Sequence, residues 1–374
     1  MKRWQAGLMA LFMSITVLTG CGKQTEPSVQ TSTKETERAT EKQEAAETVT
    51  VTDMNGRSVE IPSPEKLTSV YYASPLGQLM IYSINPKKMA GIVSELRPEQ
   101  KRFLPETEGM GVMGNFDGGK SINTEEVLAS GAQVFISMGP MVLSEKSAQG
   151  ADELQEKLNI PVLVVNGRFE ARADAFRFLG TVFGEEDRCE MLAQYCEETL
   201  SEVEKGLAKI PDAERVSLYY AEGENGLATE PESSSHAAVF KFAGAKNVAA
   251  VELTPGPGRT PVTLEQILAW DPDVIFMGKG KGSPYAEITS NPDWSHIKAV
   301  KEGRVYEAPN LPFSWIDRPP SVQQYLGLRY VAQTLYPDYF NYDLKEETKR
   351  FFKLFFNVNL TDEEAAELLG GTAS

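Results

Sequence analysis

The stretch "TLEQILAWDPDVIF", residues 263–276, reads as a short helix running into a buried strand. A paler copy, "NTEEVLASGAQVFI", occupies 123–136, with Glu125 and Glu265 in register. Asn123 and Thr263 are good N-caps, and Glu126 and Gln266 stand three residues on, the spacing of a capping box. Glu125 and Glu265 therefore fall in the first helical turn without closing the box. A carboxylate there complements the helix dipole by ~0.3–1 kcal/mol. The pairing adds something the dipole does not explain. Two related halves place equivalent first turns on equivalent outer surfaces, so a symmetric partner with two basic sockets could grip both carboxylates.

Around these units lie further runs: "LTSVYYA" (67–73), "KMAGIVS" (88–94), "PVLVVN" (161–166), "VSLYYAE" (216–222) and "RVYEAP" (304–309). Several are almost wholly apolar, as strands covered on both faces are. Their alternation with helical stretches predicts an α/β fold with parallel sheet, in two Rossmann-like lobes. Residues 171–210 separate the two sets. Phe176, Leu179, Val182 and Phe183 form a helical stripe, Gly184 breaks it, and Met191, Leu192, Tyr195, Leu200, Val203 and Leu207 extend it to Pro211. This predicts one long rigid interlobe helix between an N-terminal lobe (48–170) and a C-terminal lobe with terminal helices (211–374). Cys189 and Cys196 stand seven apart on it, ~10.5 Å along the axis, too far for a disulfide.

The N-terminus differs from the rest. Lys2 and Arg3 precede an apolar run ending in Leu18-Thr19-Gly20-Cys21, which reads as an export signal and resembles a bacterial lipoprotein signal, with residues 1–20 removed and Cys21 lipidated. Residues 21–47 are rich in Thr, Glu, Lys and Gln and cannot bury a core. As a coil they span roughly 28 Å, which suits a tether on the outer face of the cell membrane.

The net charge of −16 disfavours nucleic-acid binding. Two histidines, His236 and His296, are too few for a bare zinc or manganese site. "SSSHAAVF" lacks a nucleophile elbow and "GKGKG" lacks phosphate-loop spacing, so neither enzymatic activity nor a resident cofactor is expected. Ligands of α/β lobes gather beyond the carboxyl ends of strands. The loops there carry Tyr71, Tyr72, Ser74, Arg97, Asn115, Phe116, Met138, Arg168, Phe169, Tyr220, Glu222, Asn225, Arg259 and Lys279. The segment "PNLPFSWIDRPPS" (309–321) adds Phe313, Trp315 and Arg318, with Asp317 read either as a site residue or as a helix cap. Aromatic rings with arginines fit a large, flat or anionic ligand. We expect Tyr72, Arg97, Met138, Arg168, Tyr220, Arg259, Trp315 and Arg318 to contact it.

The body from about 48 to 357 resembles the solute-binding proteins of the iron–siderophore, haem and vitamin B12 class of ABC importers. The matching pieces are "VTDMNGRSVEIP" (51–62), "TLEQILAWDPDVIF", "WSHIKAVKEGRVYEAP" (294–309) and the interlobe helix. The resemblance implies two lobes with the ligand cleft between them, a monomer that closes modestly, and an ABC permease dimer with its ATPase as partner. It implies one docking glutamate per lobe, meeting arginines on the two permease subunits. These map onto Glu125 and Glu265, with Glu126 the alternative in the first copy, which lacks Pro-Asp before its strand. The implied cargo is an iron chelate, haem or a corrinoid; molybdate or tungstate, or a nickel or cobalt chelate, is the alternative in the same fold, and a surface enzyme or adhesion lipoprotein on a similar scaffold is the alternative outside it.

Overall fold

The apolar runs become two parallel sheets. The computed structural model describes residues 46–72, 74–114, 123–139, 143–254 and 258–370, which belong to one compact unit. Strands β1 (Thr48–Thr52) and β2 (Ser58–Pro62) form an antiparallel hairpin. Next come β3 (Val70–Tyr72), β4 (Val134–Gly139) and β5 (Val162–Asn166), a parallel sheet in the order β3-β4-β5. Strands β6 (Ser217–Tyr220), β8 (Lys246–Asn247), β10 (Val274–Gly278) and β11 (Val305–Ala308) make the second sheet, ordered β11-β10-β6-β8. A small antiparallel pair, β7 (Ala228–Thr229) with β9 (Thr260–Pro261), lies beside it. This is the α/β, parallel-sheet architecture the sequence predicts.

The central strands of the second sheet are buried on both faces, and their alternation sorts residues between two cores. Leu218, Tyr220, Val274 and Phe276 face the large core. Tyr219, Ala221, Ile275 and Met277 face a smaller one with Ile267, Ile288 and Trp294. Opposite faces on successive residues are the strand's own period.

Three expectations change. First, "KMAGIVS" forms only bridges, Val70 to Met89 and Ile92 to Val112. Gly91 lies so close to the neighbouring segment that a β-carbon on it would fall 2.5 Å from the Gly111 carbonyl oxygen, an approach only glycine allows. Second, the predicted single helix over 171–210 is two helices, Arg172–Phe183 and Glu186–Leu207. Gly184, at φ 68, takes the left-handed conformation and caps the first. The second, 22 residues long, extends about 33 Å and stands in the place of the expected connector. Cys189 and Cys196 are free and buried along it. Third, the helix Leu344–Phe356, which sequence order attaches to the C-terminal lobe, packs its rings on the N-terminal side. Phe356 meets Tyr82 and Phe352 meets Phe103, while Phe355 meets Phe176 of the segment between the two sets of strands. A strongly amphipathic face of phenylalanines follows the largest apolar surface within reach, whatever its place in the chain.

The caps behave as local chemistry dictates. Thr263 and Gln266 close a full capping box, as do Thr361 and Glu364. At the first copy, Asn123 accepts from the Glu125 N–H at 3.1 Å, and the reciprocal half with Glu126 is not formed. The short Asn side chain caps the second residue of the helix and leaves Glu126 exposed. Among the described residues no helix is long and apolar enough to cross a membrane.

Candidate functional site

The loops leaving the carboxyl ends of both sheets converge on the segment 309–321. From the N-terminal side, the turn after Leu96 carries Arg97. Its N–H donates to Gln100 Oε1 at 2.9 Å, and Gln100 Nε2 donates to the Pro312 carbonyl at 2.7 Å. Beyond β5, Arg168 is followed by Phe169, whose ring stacks on Tyr325 with centroids 4.6 Å apart. Four residues on, Arg172 is buried and fastens the two sides together. Its guanidinium donates to the carbonyls of Gly167 (3.1 Å), Ser321 (2.8 Å) and Pro320 (3.1 Å), and to Gln324 Oε1 (2.8 Å). Burial pulls its pKa down. The charge is compensated by those oxygens and by the rings of Phe169 and Tyr325, at 5.2 and 5.9 Å.

From the C-terminal side, β6 runs through Tyr220 into Glu222, and Arg318 comes from the 309–321 segment. Arg318 Nε donates to Glu222 Oε1 at 2.7 Å, and Nη2 donates to Glu230 Oε1 at 2.8 Å. Its Nε also lies 3.2 Å from Asp317 Oδ2. Glu222, Glu230 and Asp317 are all buried. Burial opposes the arginine's charge, but the Glu222 hydrogen bond and the field of Asp317 outweigh it, and its pKa is raised. The Glu222 carboxyl is pushed up to about 7, first by burial, then by the charge of Asp317, with Arg318 opposing. Its second oxygen, Oε2, has no hydrogen-bond partner. Arg259 joins the cluster from a tight loop. Its N–H donates to Glu230 Oε1 at 2.8 Å and its Nε stands 3.6 Å from Glu222 Oε1. The preceding Gly258 has φ +77, and a β-carbon there would meet Glu230 Oε1 at 2.0 Å, so only glycine brings this backbone onto the carboxylate. His236, capped by Ser234, brings Nδ1 to 3.5 Å from Asp317 Oδ2.

The site residues read from sequence divide into two groups. Arg97, Arg168, Arg259 and Arg318 are at least partly exposed on the converging loops, each beside a carboxylate: Glu99, Glu170, Glu222, and the Glu222–Glu230–Asp317 set. Tyr72, Met138, Tyr220 and Trp315 are buried in the large core. The Tyr72 hydroxyl donates to the Gly91 carbonyl, and Trp315 Nε1 donates to the Leu311 carbonyl at 3.0 Å. Their rings support the loops rather than present a face to solvent. Asp317 caps no helix; it accepts from Ser314 and faces Arg318. His296 is exposed. Cys21, Asn115 and Phe116 lie outside the described residues. Among the described residues no group of three or more His, Cys, Asp or Glu is placed to hold a metal ion.

Sequence reasoning missed Glu230, Gln100 and Arg172. Nothing local marks Glu230 or Gln100. Arg172 carried a signal: a cation in the first turn of a helix opposes the dipole, so its position needs another reason.

Both candidate docking glutamates are exposed, in the first turns of the helices Thr124–Ala129 and Leu264–Trp270.

Residues 114–311 match the model of the periplasmic binding protein family. Over 343 residues the chain is 25% identical to a molybdate-binding protein of Haemophilus influenzae, covering 84% of this chain and 93% of the relative. A shorter match, 44% identical over 48 residues, is to an Fe(3+)-citrate-binding protein of Bacillus subtilis, covering 13% of this chain and 15% of that one. An ABC transporter solute binding protein from Sulfurospirillum deleyianum has a solved structure that superposes with TM-score 0.77 at 31% identity, covering 86% of this chain and 99% of that chain.

Proposed function

We propose, because this chain belongs to the periplasmic binding protein family, that it captures an anionic, metal-bearing solute where the two sets of loops converge. The chain is a solute-binding protein of an ABC importer; the nature of the solute, the anchoring and the docking residues are our reading. The carrying observation is Arg318, a guanidinium fixed by buried Glu222 and Glu230 on the segment that also receives the loops of Arg97 and Arg168. An arginine already held in place loses little freedom when a ligand arrives, and with Nε and Nη2 given to Glu222 and Glu230 it contributes its charge and fixes the carboxylates beside which Arg259 stands. Arg97, Arg168 and Arg259 supply further charge, each able to exchange its carboxylate partner for one on the ligand.

Within that class, a ferric chelate with carboxylate or catecholate arms fits best among the solutes the sequence suggests. Haem and corrinoids draw less support, because Tyr72, Tyr220 and Trp315 are buried and offer no stacking face. The similarity to a molybdate-binding protein over most of the chain favours a second reading, capture of molybdate or tungstate. Delivery proceeds without bond making. The chain, a monomer lipidated on Cys21, presents Glu125 and Glu265 to the permease dimer. The Arg172 fastening across the seam supports modest closure rather than wide hinge motion.

The test is thermal-shift screening of the purified protein against ferric citrate, a ferric catecholate, haem, cobalamin, nickel–histidine, molybdate and tungstate, with Arg259→Gln as a comparison. Stabilisation by a ferric chelate, reduced at least tenfold in affinity by Arg259→Gln, is expected. Stabilisation by the oxyanions alone selects the second reading, and stabilisation only by haem or cobalamin overturns both.

A further inference from the structure

The two helix–strand copies match more closely on their outsides than on their insides. Along 123–130 and 263–270 the sequence of exposed, half-buried and buried positions is the same. The single buried position of each differs, Val127 in one and Ile267 in the other. The exposed positions Glu125, Leu128 and Ala129 are repeated as Glu265, Leu268 and Ala269. These are i, i+3 and i+4, neighbours on one helical face. Leu128 is 54% exposed and Leu268 36% exposed, so part of an apolar side chain is open to water at the same place in each copy.

Burial accounts for only part of that. A fold constrains the buried position and the cap and leaves exposed positions free, so two diverged copies should agree inside and differ outside. Here the residues flanking the shared face differ as well: Thr124 against Leu264, Glu126 against Gln266, and Ser130 against Trp270. Apart from the buried Val134 and Val274 of the following strands, what the copies share is a small surface of one carboxylate, one leucine and one alanine, presented twice.

From this we infer that Leu128 with Ala129, and Leu268 with Ala269, are the apolar halves of two matched docking surfaces. Each surface is seated on one of two like subunits of the permease. The inference rests on the proposed docking role of Glu125 and Glu265 and names what accompanies them. A partner built of two equivalent subunits offers the same socket twice, and only such a partner requires the same surface twice from unequal halves. Each socket pairs a basic side chain, complementary to a chain of net charge −16, with an apolar recess that takes the leucine. The carboxylate orients the encounter and the leucine, desolvated at its centre, holds the complex. The alanine keeps the helix surface low beside it.

The experiment uses ligand-free protein and the cognate permease–ATPase complex in nanodiscs, with binding followed by biolayer interferometry. The variants are Leu128→Gln/Leu268→Gln, Glu125→Ala/Glu265→Ala and, as a control, Met191→Gln, an exposed apolar residue on the connector helix. Glutamine retains helix propensity close to that of leucine, and melting curves report any loss of folding. We expect the leucine pair to weaken permease binding at least tenfold with melting unchanged, each single leucine to weaken it in part, and Met191→Gln to bind as the unaltered protein. If the glutamate pair abolishes binding while the leucine pair leaves it intact, this inference is overturned and the docking glutamates stand. If both pairs bind normally, the docking reading itself falls. A loss from one leucine but not the other overturns the matched pair. Should the leucine pair melt early, Leu128→Ala/Leu268→Ala replaces it, with the same outcomes.

Discussion

Replacing Arg172 tests the seam between the two sets of loops. Its guanidinium makes four hydrogen bonds, reaching Gly167 on one side and Pro320, Ser321 and Gln324 on the other. Arg172→Lys keeps the charge and most of the length but loses the planar fork, so a single ammonium cannot reach four acceptors spread around it. The Gly167 and Ser321 carbonyls left without donors are buried, and the ammonium is more strongly hydrated than the guanidinium and harder to desolvate. Each hydrogen bond to a charged group contributes about 1.5–3 kcal/mol, and these are not additive. With two or three of the four bonds lost, a cost of about 3–5 kcal/mol is expected. For a folded body of this size about 1.4 °C of melting temperature corresponds to each kcal/mol, so a drop of roughly 4–7 °C is expected. Melting by circular dichroism at a fixed scan rate measures it, and hydrogen exchange of the backbone at 318–324 reports whether the loosening is local. Arg318 lies on the loosened segment, so ligand affinity should fall with the same variant. A melting temperature within 2 °C of the unaltered protein, with exchange at 318–324 unchanged, would refute the idea that Arg172 fastens the seam.

Three further outcomes follow from the geometry. Glu222 holds its proton to about pH 7 when folded, above the ordinary glutamate value of 4.5. The unfolded chain therefore releases that proton first. The stability this residue contributes is fully present below pH 4.5, declines as pH rises to about 7 and is constant above that. Relative to Glu222→Gln, the unaltered protein should lose about 3 kcal/mol between pH 4.5 and 8; urea unfolding of both measures this, and parallel pH profiles would contradict it. In the helix Gln324–Leu335, a β-carbon on Gly327 would fall 1.8 Å from the Trp315 carbonyl oxygen. Gly327→Ala should therefore destabilise by about 1–2 kcal/mol, the overpacking term exceeding the ~1 kcal/mol gain in helix propensity; a raised melting temperature would show that the backbone gives way freely. Finally, Glu230→Gln should lower ligand affinity without removing any direct ligand contact, because it weakens the hydrogen bonds that fix Arg318 and Arg259; calorimetric titration with whichever ligand the thermal screen identifies checks it, and unchanged affinity would assign the anchoring to Glu222 alone.

What the sequence determined by itself is what neighbours in the chain determine. The apolar runs at 133–138, 161–166 and 273–278 are strands because a segment covered on both faces has no polar residues to place. Thr263 with Gln266, and Thr361 with Glu364, close their boxes because both partners lie within one helical turn. The helix–strand repeat, with its two exposed glutamates, was legible for the same reason. The arrangement of the candidate site was not. Glu222, Glu230, Arg259 and Arg318 come from different loops, and no period or motif relates them. Gln100 reaches Pro312 across 212 positions. Whether an aromatic next to a strand end faces a ligand or the core depends on what packs over it, which sent Tyr72, Tyr220 and Trp315 inward. Only the tertiary structure decided which arginines stand at the seam and which carboxylates hold them, because burial and charge pairing belong to the space between elements and not to the order of residues along them.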